Sequence, residues 1–275
     1  MFDTTHLNGS DKYKSNLAIV VVEPQGSRNV GAIARVMKNM GFGQLVLVNP
    51  QCDCFGEEAQ GMAVHAKDIL AQAKVVDSLA IALENCQRVI ATTAQERTLQ
   101  SPLENPRHAL PWLLAPNVSS ALVFGREDRG LSNQELNQAH RFVKIPVDPQ
   151  YTSLNLSQAV AVCVYELQQA TLEPSLPITP SPEVLNRGDI NGRPLANAAS
   201  LESYYQHLEK TLLTIQVLYP HTAATKMAKL KRIYQRSGLR EEEVALLRGI
   251  LGQVDWLSQQ LAPQPSQCQQ SPGDP

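Results

Sequence analysis

Short apolar runs alternate with segments of helical periodicity over the first part of the chain. The runs predict five strands, at residues 17–22, 45–48, 88–91, 121–124 and 142–146. A continuous apolar run of this length is typical of a strand that is buried on both faces of a parallel sheet. Helices are predicted between them at 62–72 and 78–85, and Ser132 with Glu135 forms a capping box that starts another. This alternation predicts an α/β domain with a mainly parallel sheet.

The first predicted helix follows the first strand and carries a stripe of cations. Its apolar positions are Val30, Ile33, Ala34 and Met37. Asn29 is expected to be its N-cap and Gly41 its terminating glycine. Arg28, Arg35 and Lys38 then fall along one exposed face. That face is either a solvated helix surface or a contact for an anionic partner.

The segment from Ile145 to Leu167 has the most unusual pattern in the chain. Residues 159–164 are all apolar, so periodicity alone fits either a strand or a helix. The run is long for a strand, and Ser153 and Asn155 offer capping oxygens, so we predict a helix that opens near Asn155. A helix that is apolar all round is expected to be buried on all sides, with its first N–H groups available to a ligand. A core helix with ordinary caps is the simpler alternative.

The second part of the chain differs in composition. Residues 171–199 contain five prolines and predict an extended linker. Residues 200–260 predict a small all-helical domain, and disordered tails are expected at 1–15 and 261–275. Its first helix is expected to bury Leu201, Tyr204, Leu208, Leu212, Ile215 and Tyr219. Its last helix is expected to bury Val244, Leu247, Ile250, Leu251 and Val254. Between these helices lies a basic cluster of Lys226, Lys229, Lys231, Arg232, Arg236 and Arg240.

The composition limits the possible locations and ligands. The formal net charge is −2, so a nucleic acid would have to be bound by local basic patches. No apolar run is long enough to span a membrane and the N-terminus lacks a signal-peptide core, so no membrane association is expected. Five scattered cysteines favour a reducing cytoplasm. Cys52 and Cys54 have no second pair nearby, so no metal site is expected.

The common nucleotide-binding and catalytic motifs are absent from the sequence. It contains no glycine-rich dinucleotide motif, P-loop, zinc-protease motif or nucleophile elbow. Instead, loops follow three predicted strand ends at residues 92–94, 125–127 and 145–155, and a fourth such loop carries Asn29. In open α/β sheets, ligands bind at the carboxyl ends of the strands. We therefore expect a ligand site where these loops meet.

Three segments resemble the signature motifs of a known enzyme family. They read NVGAIARVMKNMGF from Asn29, LVFGREDRGLSNQEL from Leu122 and IPVDPQYTSLNLSQAVAVCVYEL from Ile145. Together they resemble the three motifs of the SpoU/TrmH branch of SPOUT RNA methyltransferases, over roughly residues 17–170. Within that branch, the resemblance is strongest to the TrmJ subfamily of tRNA 2′-O-methyltransferases. The basic helical part, with LLRGIL at residues 246–251, resembles the C-terminal extension of that subfamily.

The resemblance implies a fold and a methyl donor that the residues alone do not indicate. It implies that residues 16–170 form a SPOUT methyltransferase domain with a C-terminal trefoil knot, which binds S-adenosylmethionine and works as a homodimer. The positions that match donor-binding residues are Thr92, Thr93, Ala94, Gly125, Ile145, Ser153, Leu154 and Asn155. Those that match catalytic residues are Asn29, Arg35, Glu127, Ser153 and Asn155. The expected tRNA contacts are Arg28, Lys38, Arg126, Lys229, Arg232 and Arg236.

The implied reaction is methyl transfer to the ribose 2′-hydroxyl of a cytidine or uridine at the first nucleotide of the tRNA anticodon loop. Because an arginine keeps its proton in proteins, Arg35 would stabilise the developing alkoxide and hold the adjacent phosphate rather than act as a base. Two alternatives stay open. One is a 2′-O-methyltransferase of another tRNA position or of ribosomal RNA, and the other is an RNA-binding module without catalysis.

Overall fold

The structure, a computed structural model, describes residues 14–94, 102–172 and 195–261. Within the last range, the side chains of residues 235 and 236 are not described. Most of the predicted proline-rich linker and nearly all of both predicted tails therefore lie outside the described residues.

One parallel sheet contains all seven strands of the described residues, in the order β3–β2–β1–β6–β4–β7–β5. The strands are β1 (Leu17–Val22), β2 (Gln44–Val48), β3 (Lys74–Val76), β4 (Arg88–Thr92), β5 (Leu103–Glu104), β6 (Ser120–Phe124) and β7 (Arg141–Val143). Five of them confirm predicted strands, with small shifts at their ends. The sequence missed β3 and β5, because these short edge strands are partly exposed and carry no long apolar run.

Helices cover both faces of the sheet. They are α1 (Ser27–Asn39), α2 (Glu57–Ala63), α3 (Lys67–Gln72), α4 (Leu79–Leu83), α5 (Pro106–Ala109), α6 (Asn133–Leu136) and α7 (Leu156–Leu172), with a 3-10 turn at Leu110–Leu113. The prediction of one helix over 62–72 is wrong, because Val64 takes a left-handed backbone (φ 52°) between α2 and α3. The predicted capping box of Ser132 and Glu135 is confirmed at the start of α6.

The two ends of α1 differ in how well the sequence predicts them. Gly41 adopts a φ of 76° after the helix, and the N–H of Phe42 donates to the carbonyl of Met37 (2.9 Å), as in a Schellman motif. The terminating glycine is therefore confirmed. The prediction of Asn29 as the N-cap is wrong, because α1 begins at Ser27 and places Asn29 in its first turn.

The core of this domain forms two layers that the sheet separates. Alternate residues of β1 face opposite layers, and all of them are buried. The layer with α1 and α7 receives Leu17, Ile19 and Val21. The layer with α4 receives Ala18, Val20 and Val22. This arrangement explains why the strand reads as a continuous apolar run.

One side of α7 is left uncovered by the residues that the structure describes. The helix packs on α1 and on the 3-10 turn. The residues that it buries are Leu156, Val160, Cys163, Val164 and Leu167. The expectation that α7 is enclosed on all sides is wrong for the described part of the chain, because Val162, Tyr165 and Leu172 are 37%, 48% and 62% exposed. An exposed apolar stripe on a core helix indicates an interaction surface.

Three helices form the C-terminal part, namely α8 (Ala198–Thr214), α9 (Pro220–Ser237) and α10 (Glu241–Leu261). They enclose a core of their own that includes Leu201, Tyr204, Leu208, Met227, Val244 and Leu251. The predicted burial of Ile215 and Tyr219 is wrong, because α8 ends before them and both are exposed. Ile250 is also exposed, because it lies on the side of α10 that faces away from this core.

Backbone hydrogen bonds near α4 join the C-terminal part to the sheet domain. The N–H groups of Ala198 and Ala199 donate to the carbonyls of Cys86 (3.1 Å) and Glu84 (3.2 Å). The side-chain amide of Gln87 also donates to the carbonyl of Leu195 (3.2 Å). The predicted linker at 171–199 therefore overlaps the end of α7 and the start of α8, and its last residues pack on the sheet domain.

The parallel sheet with its C-terminal helices confirms the expected fold class. The trefoil knot stays a prediction. Among the helices that the structure describes, none is long and apolar enough to cross a membrane.

His140, just before β7, is held in its neutral form. Its Nδ1 accepts a hydrogen bond from the N–H of Val89 (3.1 Å), and its ring meets Trp112 in an edge contact. Burial, together with the charge of Arg88, lowers the pKa of the imidazole from 6.5 to about 4. As the pH falls, the unfolded chain therefore takes up this proton before the folded chain does.

We expect the titration of His140 to lower the free energy of unfolding by about 3 kcal/mol as the pH falls from about 6.5 to about 4. Above that range the imidazole is neutral in both states and has no such effect. His140→Asn retains an acceptor for Val89 but does not titrate, so its stability should fall less over the same range. Urea unfolding at about pH 7 and about pH 4.5 measures the difference. The same pH dependence in both proteins would contradict this assignment.

Candidate functional site

The loops after three neighbouring strands, β6, β4 and β7, enclose a cavity of about 360 Å³ at the carboxyl edge of the sheet. Seven of the eight positions matched to donor binding line this cavity, namely Thr92, Thr93, Ala94, Gly125, Ile145, Ser153 and Leu154. The eighth, Asn155, lies beside the cavity wall immediately before α7. The structure thus gathers residues that are distant in sequence, and their role as donor contacts stays a prediction.

Gly125 lies where two backbone segments touch. A Cβ on this residue would lie 2.3 Å from the carbonyl carbon of Gly130 and from the nitrogen of Leu131. The N–H of Gly130 also donates to the carbonyl of Arg126 (2.8 Å), which closes residues 126–130 into a tight loop. Because only glycine leaves room for this approach, this part of the cavity wall is bare backbone.

A chain of hydrogen bonds links the loop after β6 to the starts of α1 and α7. The Nδ2 of Asn29 donates to the Oε1 of Glu127 (2.9 Å), and the Nδ2 of Asn155 donates to the Oδ1 of Asn29 (3.1 Å). The Oδ1 of Asn155 accepts from the N–H and the hydroxyl of Ser157, at 2.9 and 2.7 Å. These bonds fix the orientation of both asparagine amides. Ser157 was not among the predicted site residues.

Glu127 caps the start of α1 from a distant loop. Its Oε2 accepts from the N–H of Gln25 (2.9 Å), and its Oε1 accepts from the N–H of Gly26 (3.2 Å) as well as from Asn29. The first turn of α1 contains no acidic residue, so Glu127 supplies the negative charge that stabilises this helix end. With three donors engaged, its carboxylate orients Asn29 and is poorly placed to accept a proton from a substrate.

Arg35 is the predicted catalytic residue that the structure leaves apart from the others. It lies on the exposed face of α1, six residues after Asn29, which is about 9 Å further along the helix axis. It does not line the cavity, and no described residue pairs with its guanidinium. Ser153, in contrast, lies on the cavity wall.

A cluster of ion pairs joins the 126–130 loop to residues outside it, and no sequence pattern predicted this cluster. Arg126 donates two hydrogen bonds to Asp128 (2.6 and 2.7 Å), which raise its pKa and lower that of the carboxylate. Arg129 bridges Glu23 and Glu135, at 2.9 Å each. Arg126, a predicted RNA contact, is therefore already paired with a carboxylate. Glu23 is more than 100 residues from its arginine partners, so no local pattern could reveal it.

Two family models match the chain. The model of the SpoU rRNA Methylase family matches residues 16–165, which is more than half of the chain. The chain belongs to the SpoU methylase family. A second model, for the C-terminal domain of the tRNA methyltransferase TrmJ, matches residues 199–266. The resemblance drawn from the three motifs and from the basic helical part is confirmed.

Curated relatives of this SpoU methylase match it over most of their length. A Pseudomonas aeruginosa protein named tRNA (cytidine/uridine/adenosine-2′-O-)-methyltransferase TrmJ is 40% identical over 90% of this chain and 96% of the relative. A Pectobacterium atrosepticum protein named tRNA (cytidine/uridine-2′-O-)-methyltransferase TrmJ is 39% identical over 87% and 96%. The crystal structure of TrmJ from Z. mobilis covers 86% of this chain and 98% of its own, with a TM-score of 0.74 and 29% identity.

Apart from Arg126 in the cavity wall, the predicted RNA contacts of this SpoU methylase lie on helices α1 and α9. Arg28 and Lys38 are exposed on α1, where Lys38 forms a salt bridge with α3 (2.6 Å). Lys229 is exposed on α9 and Arg232 is half-buried. The side chain of Arg236 lies outside the described residues.

The two cysteines of the methylase's C-x-C segment lie in the loop after β2, with their sulfurs 3.6 Å apart. Burial, together with the hydrogen bond to Cys52, raises the pKa of Cys54 to about 12, so its sulfur stays a thiol. Across residues 14–94, 102–172 and 195–261, no group of three or more His, Cys, Asp or Glu side chains could hold a metal ion.

Proposed function

We propose that this SpoU methylase transfers a methyl group from S-adenosylmethionine to the ribose 2′-hydroxyl of a cytidine or uridine at the first nucleotide of the tRNA anticodon loop. The cavity at the carboxyl edge of the sheet carries this proposal, because residues of the second and third motifs meet there around a wall of bare backbone. The names of the Pseudomonas and Pectobacterium relatives, which specify 2′-O-methylation of tRNA, support the reaction and the substrate.

The cavity fits S-adenosylmethionine in size and in the kinds of groups that line it. Its volume falls in the range of small-molecule sites. Thr92 to Ala94 and Gly125 would offer backbone groups at two strand ends, while Ile145 and Leu156 add apolar surface. When bound, S-adenosylmethionine supplies a methyl group on a sulfonium that is its own leaving group.

The remaining work of the protein is to orient the ribose hydroxyl and to stabilise developing charge. Asn29 and Asn155 present fixed amides beside the cavity. Arg35 would stabilise the alkoxide and hold the adjacent phosphate through its planar guanidinium. The phosphate or a water molecule would accept the proton, because arginine keeps its own.

Methyl transfer from labelled S-adenosylmethionine to unmodified tRNA, and in parallel to ribosomal RNA, tests this function once the modified nucleotide is mapped. Label as 2′-O-methyl ribose on the first anticodon-loop nucleotide is expected, and exchanging that base would separate cytidine from uridine. Label on ribosomal RNA would overturn the proposal that tRNA is the substrate. The name of the family model favours that outcome. Donor binding without labelling of either RNA would favour the non-catalytic RNA-binding module.

We propose that the basic residues of α9, namely Lys229, Arg232 and Arg236, contact the tRNA backbone. Replacing Lys229 and Arg232 by glutamate should weaken tRNA binding about tenfold or more. The slope of log affinity against log salt concentration should become shallower by about two, because two phosphate contacts are lost. Lys74→Glu, on the exposed edge strand β3, is the matched control. Filter binding over a salt series measures both quantities. Unchanged tRNA affinity, or a loss of affinity for S-adenosylmethionine, would contradict the proposal.

The exposed stripe of α7 is proposed to form the interface of a homodimer. A glutamate at Tyr165 would bury an unpaired charge there, so Tyr165→Glu should raise the dimer dissociation constant by about 100-fold or more. Val75→Glu, at an apolar residue of β3 that is 49% exposed, is the control. Light scattering after size-exclusion chromatography measures the mass. A dimeric Tyr165→Glu protein at concentrations where the wild type is dimeric would rule out this interface.

We also propose a division of the chain into functional units and a location. Residues 16–170 form the methyltransferase domain, 171–199 the linker, and 200–260 the tRNA-contacting helical domain, with tails at 1–15 and 261–275. The separate core of α8, α9 and α10 supports this division. The unpaired thiols among the described cysteines support a cytoplasmic location, where thiols stay reduced.

A further inference from the structure

Glu23 joins the ends of three neighbouring strands. It directly follows β1, and its N–H donates to the carbonyl of Val48 at the end of β2 (2.8 Å). Its Oε2 lies 2.9 Å from the Nη2 of Arg129 and 3.4 Å from the Nη1 of Arg126, both in the loop after β6. Its Oε1 lies 3.4 Å from the amide of Asn49, beyond β2. One carboxylate therefore meets groups from two other strand ends.

The backbone at Glu23 is strained. Its φ is 48°, in the left-handed region that a residue with a Cβ rarely occupies. Glycine would adopt this conformation more easily. A strained residue next to a site, whose side chain makes specific contacts, suggests that the side chain is retained for those contacts.

The loop that Glu23 holds is a wall of the cavity. Arg126, Arg129 and Gly130 all line the cavity, and the loop closes on Gly125. Arg129 is bound on its other side by Glu135, and the hydrogen bonds that its guanidinium donates to these two glutamates raise its pKa. Removing Glu23 would leave Arg129 tied to α6 but not to β1. The position of the cavity wall relative to the sheet would then be set by fewer bonds.

We propose that Glu23 is a positioning residue that holds the 126–130 loop in the conformation that binds S-adenosylmethionine. It acts through Arg126 and Arg129 and does not line the cavity itself. Its loss therefore weakens donor binding and leaves the methyl-transfer step nearly intact once the donor is saturating. The inference rests on the proposed function, because it takes S-adenosylmethionine as the ligand of this cavity.

Titration calorimetry with S-adenosylmethionine, together with kinetics on unmodified tRNA, tests the proposal. Glu23→Gln removes the charge and keeps the shape, while Glu23→Gly removes the side chain and relieves the backbone strain. Both are expected to weaken donor binding by about tenfold or more, with KM for the donor rising in parallel and kcat within about threefold of wild type. Asp68→Asn, which breaks the exposed salt bridge to Lys38 on α3, should leave donor affinity unchanged.

A double-mutant cycle shows whether Glu23 acts through the loop. If it does, Glu23→Gln should have a much smaller effect on donor affinity in an Arg129→Gln background than in the wild type. Normal donor affinity in Glu23→Gly would overturn the proposal, and so would full additivity in the cycle or a loss confined to kcat. Failure of the wild-type protein to bind S-adenosylmethionine would instead refute the proposed function.

Discussion

Replacing Gly125 with alanine is expected to lower the affinity for S-adenosylmethionine by about 100-fold or more, which corresponds to about 2.7 kcal/mol. The added methyl group would lie 2.3 Å from backbone atoms of Gly130 and Leu131. Backbone cannot yield as a flexible side chain would, so the 126–130 loop must move and take the cavity wall with it. Titration calorimetry with the donor measures the loss.

Gly43→Ala is the matched control for this variant, because a Cβ at Gly43 would meet no atom within 4 Å. It should bind the donor as the wild type does. Circular dichroism checks that the Gly125→Ala protein is folded. A folded Gly125→Ala protein whose donor affinity lies within about threefold of wild type would mean that the donor binds elsewhere.

Arg35→Lys is expected to reduce kcat for tRNA methylation by about 100-fold and to leave affinity for S-adenosylmethionine unchanged. The charge is kept, but a lysine ammonium lacks the planar pair of donors that holds a phosphate and an alkoxide together. Because Arg35 lies outside the cavity, the substitution should not alter the affinity for S-adenosylmethionine. Single-turnover kinetics with saturating donor measures the chemical step.

The control for Arg35→Lys is Arg107→Lys, a change of the same type at an exposed residue of α5. It should turn over at the wild-type rate. Near wild-type turnover of Arg35→Lys would show that its role is only that of a positive charge. A parallel loss of donor affinity would instead place Arg35 in the donor site.

The central strands were predictable because burial on both faces requires a continuous apolar run, which is visible in the sequence. β1, β4 and β6 are flanked by other strands, and their residues face one apolar layer or the other. β3 and β5 lie at the edges of the sheet and have no continuous apolar run. In α7 the same reasoning failed, because an apolar face looks alike in sequence whether the chain itself or a second molecule covers it.

The candidate site was predictable only where a motif or a strand end marked it. Gly125 directly follows β6 and Ser153 lies in the loop after β7, and the rule that ligands bind at carboxyl ends points to both loops. Asn29 was predicted to be a helix cap, because asparagine is a common cap. No residue pattern near Asn29 indicates that Glu127 is its hydrogen-bond partner. Glu23 gave no signal at all, since its conformation and its partners arise only when β1 and β6 lie side by side.

The bonds that orient Asn29 have a consequence for how the protein forms. Its amide meets Glu127, 98 residues later in the chain, and Asn155, 126 residues later. Contacts between such distant residues close slowly, because the loop entropy is lost before the contact is gained. During synthesis, β1 and α1 emerge long before either partner, so the methyl-donor cavity cannot take shape until α7 has begun. Activity is therefore expected to appear late in folding, after most of the secondary structure has formed.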